Sequence, residues 1–198
     1  MYSYVKRLGD FILSLGGIIF MSPLLLLLVL FIKLDSKGPI LFCQKRVGIN
    51  KSHFMIYKFR TMRIDTPKDT PTHLLKSPDQ YITRAGKFLR RTSLDELPQL
   101  FNIIRGDMSV IGPRPALWNQ YDLIEERDKY GANDIRPGLS GWAQVNGRDE
   151  LPIPIKANLD GVYVKQMGFK MDCKIFFMTI VTAIGGKGLS EGSKVNQQ

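Results

Sequence analysis

One stretch limits what this chain can become before anything else is read. Phe11 to Ile32, FILSLGGIIFMSPLLLLLVLFI, runs 22 residues without a charge and holds five consecutive leucines, Leu24 to Leu28. At about 1.5 Å of rise per residue it makes roughly 33 Å of helix, comparable with the ~30 Å hydrocarbon core of a bilayer. Ser22 and Pro23 interrupt it near the middle. A proline inside a helix deletes one backbone hydrogen bond and clashes with the preceding turn, at a cost of about 3 kcal/mol. In lipid the freed carbonyl needs a substitute donor, and the Ser22 hydroxyl is near enough to serve.

Three readings of this stretch compete. A secretory signal peptide needs a small-residue cleavage site, and none follows Ile32. A kinked helix can span the bilayer, and many spanning helices contain proline. A re-entrant hairpin instead enters and leaves by one face. Lys6 and Arg7 precede the run, and Lys33 and Lys37 follow it. Basic flanks prefer the cytoplasm, and the hairpin alone puts both of them there. The residues leave span and hairpin open, but either one attaches the chain to a membrane.

The formal charge of +10 and the pI near 9.7 suit an anionic partner. Nucleic acid, an anionic membrane surface and phosphorylated substrates are the choices, and the anchor favours the last two. Beyond the anchor roughly 160 residues remain, enough for one domain with its own core. Cys43 and Cys173 are too few and too far apart for a disulfide framework or a thiolate metal site, so reduced thiols are expected. Neither His53 nor His73 is assigned a metal.

Past the anchor the chain reads as α+β. Pro39–Val47 and Phe54–Met62 form a β-hairpin around the turn Gly48–Ser52, with Lys45, Arg46, Lys58 and Arg60 along it. These cations suit a solvated face or a surface meeting headgroups or phosphate. Arg63–Gln80, with three prolines, is expected to be a mobile loop able to act as a lid. Ile82–Arg91 reads as a short basic amphipathic helix of interfacial type, or else an ordinary surface helix. Thr92–Arg105 is expected to be one helix, with Ser93 and Glu96 as a capping box and Pro98 near its start. Met108–Ile111 reads as a strand, Gly112–Pro115 as a stiff turn and Ala116–Tyr130 as a helix with an acidic outer face. Ile135–Arg148 is Gly-rich, and Leu151–Ile155 is loop. Helices follow over Lys156–Lys165 and Asp172–Ile184. The last contains the ten-residue apolar run IFFMTIVTAI, too short to span and therefore buried or interfacial. The tail after Gly185 is polar and expected to fray.

Asp95-Glu96 is the strongest candidate for chemistry. The pair follows Arg90 and Arg91 at the expected start of a helix, where free N–H groups and the helix dipole favour anions. Carboxylates can hold a magnesium-bound diphosphate while guanidinium forks take its oxygens. Neighbouring helical residues point about 100° apart, so the two acids serve different tasks: one attacks or chelates, the other orients or takes a proton. Acids in a first helical turn are also common for capping alone. Glu125-Glu126 and Asp149-Glu150 need no functional explanation.

The run RRTSLDELPQLFNIIRGDMSVIGPRP, followed by RPGLSGWAQVNGR, resembles the bacterial sugar transferases, the monotopic phosphoglycosyl transferases. The segments KRVG and YKFRTM and the Ser-Pro break are similar too, so the resemblance runs from about Val5 to Ser190. It implies a re-entrant helix-break-helix anchor over residues 1–36. Residues 37–198 would then be a small, mostly helical catalytic domain with a short hairpin and interfacial helices. The resemblance implies the minimal catalytic-core form, expected on the cytoplasmic face of a bacterial inner membrane. It further implies sugar-1-phosphate transfer from a UDP-sugar, expected to carry an N-acetylated amino sugar, to polyprenyl phosphate with release of UMP. Asp95 matches the family's nucleophile, which becomes covalently phosphosugar-linked, and Glu96 the second member of the dyad. Both would be ligands of Mg2+. Arg90 and Arg114 match phosphate-binding and rim residues, and Arg136 and Arg148 fall where phosphate or nucleotide contact is expected. Ser22 and Pro23 match the membrane break. Gly161 stands where a bulkier residue is expected, which weakens the case for a regular helix there. The rival readings are a membrane-tethered nucleic-acid binder and a non-catalytic scaffold. The first wants basic residues clustered with exposed aromatics, and here acids are interspersed, so nucleic acid is not expected as a partner. Homo-oligomerisation is left open.

Overall fold

The structure is a computed structural model and describes residues 2–66, 78–147 and 151–184. The apolar stretch forms one helix in it, α1, from Tyr2–Asp35, with Pro23 inside. The expected break is therefore no gap in the helix. Ser22 Oγ donates to the Ile19 carbonyl at 2.8 Å, and Ile19 lies four residues before Pro23, where the proline supplies no N–H. The serine repairs the bond that the proline deletes.

Much of α1 is bare. Ile19, Phe20, Leu26 and Leu27 are each more than 60% exposed, and among the described residues this is the one helix long and apolar enough to cross a membrane. Its two ends are fastened to the rest of the chain by different means. Near the start, Lys6 pairs with Asp172 at 2.6 Å, and Arg7 donates to the Ile103 and Ile104 carbonyls at 2.5 and 2.7 Å. Buried Asp10 accepts from Ser109 Oγ at 2.6 Å and Val110 N–H at 3.1 Å. Near the end, Leu28 and Ile32 enter a core cluster with Phe59 and Leu89, and Asp35 accepts from Ala85 N–H.

The hairpin forms as expected: β1 (Leu41–Val47) pairs antiparallel with β2 (His53–Phe59), Gln44 opposite Ile56 and Phe42 opposite Lys58. Helix α2 (Arg84–Thr92) follows, its N-cap Thr83 accepting from Gly86 N–H. The helix expected over Thr92–Arg105 is instead divided. Ser93 takes a left-handed conformation (φ 56°) and ends α2, with its N–H on the carbonyls of Arg90 and Leu89. Leu94–Glu96 makes a single 3-10 turn, and α3 covers only Gln99–Arg105. The capping box is not made, because left-handed Ser93 makes no side-chain capping bond.

Further along, β3 (Ser109–Ile111) pairs parallel with β4 (Gly138–Ser140), which lies inside the segment read only as Gly-rich, before the short helix α5 (Trp142–Val145). α4 is shorter than expected, Tyr121–Asp128. α6 (Ile153–Gln166) starts inside the stretch expected to be loop, since Pro154 falls in the first turn where proline is tolerated. It runs regularly through Gly161. α7 spans Phe169–Ile184 and answers both readings of its apolar run: Ile175 is fully buried, while Phe177 and Val181 are 64% and 69% exposed. The central part of the proline-rich loop (67–77) and the tail after residue 184 lie outside the described residues.

Candidate active site

The division of the long helix decides where the acids point. Asp95 and Glu96 sit in the 3-10 turn between α2 and α3, while Leu94 and Leu97 on either side pack into the cluster around Leu28, Ile32, Phe59 and Leu89. The turn is nailed down by its apolar residues and presents its carboxylates to one cluster of cations.

Glu96 Oε1 accepts from Lys58 Nζ at 2.8 Å and from Arg114 Nη2 at 3.0 Å. Burial pushes the Glu96 carboxyl up, but Arg114 and Lys58 outweigh it and hold the group well below the usual carboxylate range. Asp95, only 9% exposed, makes no side-chain hydrogen bond or ion pair among the described residues. Burial raises its pKa to about 6, and Glu96 adds to the rise. Lys58, Arg90 and Arg114 oppose it. The two acids thus differ: Glu96 is gripped and kept charged by its cations, while Asp95 is desolvated and makes no side-chain hydrogen bond or ion pair among the described residues.

Three elements deliver the cations. Arg90 leaves the last turn of α2, and its Nε donates to Thr61 Oγ1 at 3.0 Å. Gly86 permits this, because a Cβ there would stand 1.9 Å from the Thr61 carbonyl. Arg114 comes from the Pro-Arg-Pro turn after β3. Lys58 comes from β2, and Asn102 fixes that strand against α3: its amide accepts from Tyr57 N–H at 3.0 Å and donates to Met55 O at 2.8 Å, as a neighbouring strand would.

Of the expected residues, Asp95, Glu96, Arg90 and Arg114 come together. Arg136 does not join them. Its Nε donates to the Gly106 carbonyl at 2.9 Å, at the far end of α3, about 10 Å of helix from the dyad. There it caps a helix carbonyl. Arg148 lies outside the described residues. Lys58 was not singled out as a site residue, although a signal existed. Phe54, Ile56 and Lys58 share one strand face by their spacing of two, so a lysine stood on the inward face. Arg60 of the same segment donates instead to the backbone at Ser36 and Lys37, closing off α1.

Three cations stand around two carboxylates, one of which makes no side-chain hydrogen bond or ion pair among the described residues, and such an arrangement can bind a polyanion and offer it a nucleophile. Among the described residues no group of three or more His, Cys, Asp or Glu side chains is placed to hold a metal. A magnesium ion does not need one: it takes one or two carboxylates and fills its octahedron with phosphate oxygens and water. The Asp95 carboxylate, buried and unclaimed, fits that role.

Residues 1–186 match the family model described as bacterial sugar transferase. The undecaprenyl-phosphate glucose phosphotransferase of Komagataeibacter xylinus is 40% identical over 88% of this chain, which spans 35% of that relative. The UDP-N-acetylgalactosamine-undecaprenyl-phosphate N-acetylgalactosaminephosphotransferase of Aeromonas hydrophila is 38% identical over 95% of the chain, which covers 45% of it. The exopolysaccharide production protein PSS of Rhizobium leguminosarum bv. phaseoli is 40% identical, and the match covers 93% of this chain and 98% of the relative.

Proposed function

The chain belongs to the bacterial sugar transferase family, and on that premise we propose that it transfers a sugar 1-phosphate from a UDP-sugar to undecaprenyl phosphate, releasing UMP. The observation that carries this reading is the contrast within the dyad: Asp95 buried and making no side-chain hydrogen bond or ion pair among the described residues, Glu96 fixed by Lys58 and Arg114. A nucleophilic carboxylate must be desolvated and free, and its neighbours must neutralise the phosphate it attacks.

In this mechanism a carboxylate oxygen of Asp95 attacks the β-phosphorus of the UDP-sugar. The bond from that phosphorus to the bridging oxygen breaks, UMP leaves with the electron pair, and the phosphosugar stays on Asp95. A phosphate oxygen of undecaprenyl phosphate then attacks the same phosphorus and frees the aspartate. Arg90, Arg114 and Lys58 hold the phosphoryl oxygens through both steps. Glu96, ionised across the working pH range, is unsuited to donate a proton. It keeps Lys58 and Arg114 aimed and, with Asp95, would hold Mg2+. The metal, when bound, supplies further charge neutralisation at the diphosphate.

The acceptor's phosphate lies at headgroup level, so the dyad must be held there. We assign residues 1–36 as a re-entrant anchor and 37–198 as the catalytic domain on the cytoplasmic face. Both ends of α1 grip one body, Lys6, Arg7 and Asp10 at the start and Ile32 and Asp35 at the end. A helix crossing the bilayer would separate those ends by the full membrane thickness. Ser22 keeps the Pro23 region bonded at depth. In a background lacking Cys43 and Cys173, a cysteine at Ser3 should resist an impermeant reagent in intact cells. Labelling from outside would restore the spanning helix.

For the sugar we keep an N-acetylated amino sugar, in line with the Aeromonas relative, with glucose as the competitor that the Komagataeibacter relative's name supplies. A panel of UDP-sugars scored by UMP release decides between them. With Mg2+ and the right donor, wild-type protein should release UMP and gain a phosphosugar mass adduct. Asp95→Asn should do neither, and full turnover in that variant would end the covalent mechanism.

A further inference from the structure

Arg114 leaves a stretch of chain without regular structure, between β3 and α4. Pro113 and Pro115 flank it and lack N–H groups, so much of the hold on the backbone there falls to its carbonyls. Each carbonyl from Pro113 to Ala116 has its own donor. Gly138 N–H takes that of Pro113 at 2.8 Å, Arg46 Nη1 that of Pro115 at 3.0 Å, and Val47 N–H that of Ala116 at 3.0 Å. The Arg114 carbonyl accepts from Nη1 of Arg127 at 2.9 Å.

Arg127 belongs to α4 and is 3% exposed. Its Nε and Nη2 both reach Oδ2 of Asp160 on α6, at 2.8 and 2.6 Å, and Asp160 is 1% exposed. The two helices come this close because α6 carries Gly161 beside Asp160. A Cβ there would stand 2.6 Å from the Cβ of Tyr130, just past the end of α4. The glycine that looked out of place in the sequence makes room for the pair.

A buried ion pair is a poor stabiliser, since desolvation consumes most of the attraction and apolar residues of the same volume do as well. What an arginine adds is a rigid planar fork of donors, which lysine and apolar residues lack. Here two prongs are fixed by Asp160 and the third meets the one carbonyl next to the Arg114 side chain. We propose that Arg127, held by Asp160, is a positioning residue for Arg114. It fixes the backbone from which that side chain reaches Glu96 and, through the function proposed above, the substrate diphosphate. The inference rests on that role of Arg114.

A double-mutant cycle on the full chain in detergent or nanodiscs tests it, with UMP release measured from UDP-N-acetylgalactosamine and UDP-glucose, whichever turns over. Arg127→Lys keeps the charge and loses the fork. In the wild-type background it should raise KM for the UDP-sugar about tenfold while kcat changes less, the pattern of a misplaced binding group. In an Arg114→Ala background the same change should have no further effect, because residues acting as a unit are not additive. Equal losses in both backgrounds would overturn the proposal and leave Arg127 a packing residue. If Arg114→Ala alone left the kinetics unchanged, the role of Arg114 in the site would fall first. Should Arg127→Lys fail to fold, Asp160→Asn, of the same shape and still an acceptor, carries the same cycle. If neither variant folds, the pair is a stability element and the proposal fails.

Discussion

The dyad turn and the start of α1 both bury charge, and they treat it in opposite ways. Around Lys6, Arg7 and Asp10 every charged group is claimed: Lys6 by Asp172, Arg7 by two carbonyls, Asp10 by a hydroxyl and an N–H. At the dyad, Glu96 is claimed twice, and Asp95, beside it in the same turn, makes no hydrogen bond among the described residues. Buried charge that is fully partnered holds a structure together, whereas buried charge without a partner costs stability and awaits something else. Substitutions at the two places should therefore separate activity from stability in opposite directions.

The largest effect belongs to Asp95→Asn. Turnover should fall by about 10⁴-fold or more, as expected when a nucleophile is removed. Stability should move the other way. The folded protein holds this carboxyl near 6 against an ordinary 3.8, so ionising it costs folding free energy that appears as pH rises from 3.8 through 6. Above that window the asparagine variant should be more stable than wild type, by on the order of 1 kcal/mol. A melt at pH 7.5 checks the sign. A large loss of stability would mean that Asp95 is a structural group like Asp10.

Next comes Arg90→Ala. It removes one cation from the receptor and leaves α2 capped by Thr83, so kcat/KM for the UDP-sugar should drop about 10²-fold with the fold intact. Unchanged kinetics would take Arg90 out of the site. A smaller, graded effect should appear with pH. The attacking group must be ionised, so kcat/KM, which reports the free enzyme, should fall about tenfold per pH unit below roughly 6. Asp95→Glu, if active, should shift that limb, and an unmoved limb would assign it to another group.

How far the sequence reaches can be read from the same two places. The hairpin, the long apolar helix and the α2 face were legible because their signals are local: alternation, an uncharged run, a period near 3.6. Even the Ser22 repair followed from one proline and its neighbour. The turn that carries the dyad was not legible. Leu94, Leu97, Phe101 and Ile104 keep helical spacing across it, yet the left-handed Ser93 cuts the turn off from α2 and the α-helix resumes only at Gln99, after Pro98. Lys58 and Arg114 reach Glu96 from 38 and 18 residues away. No window on the sequence contains that meeting. The parallel pairing of β3 with β4, and Arg136 at Gly106, are long-range in the same way.

The smallest effect on activity, and the sharpest contrast with Asp95, should come from Asp10. Asp10→Ala strands the Ser109 hydroxyl and the Val110 N–H in a buried site, which costs about 1–3 kcal/mol. Asp10→Asn should cost less. Its carbonyl oxygen can still take the Val110 N–H, and the Ser109 hydroxyl can rotate to accept from the new amide, since a hydroxyl both donates and accepts. In both variants kcat/KM of the folded protein should stay within about threefold of wild type, because no atom of Asp10 meets the dyad. Melting temperature and turnover on the same samples give the comparison directly. If Asp10→Asn lost turnover while keeping its melting temperature, the start of α1 would be coupled to catalysis. The division between a partnered charge that builds and an unpartnered one that reacts would then not hold.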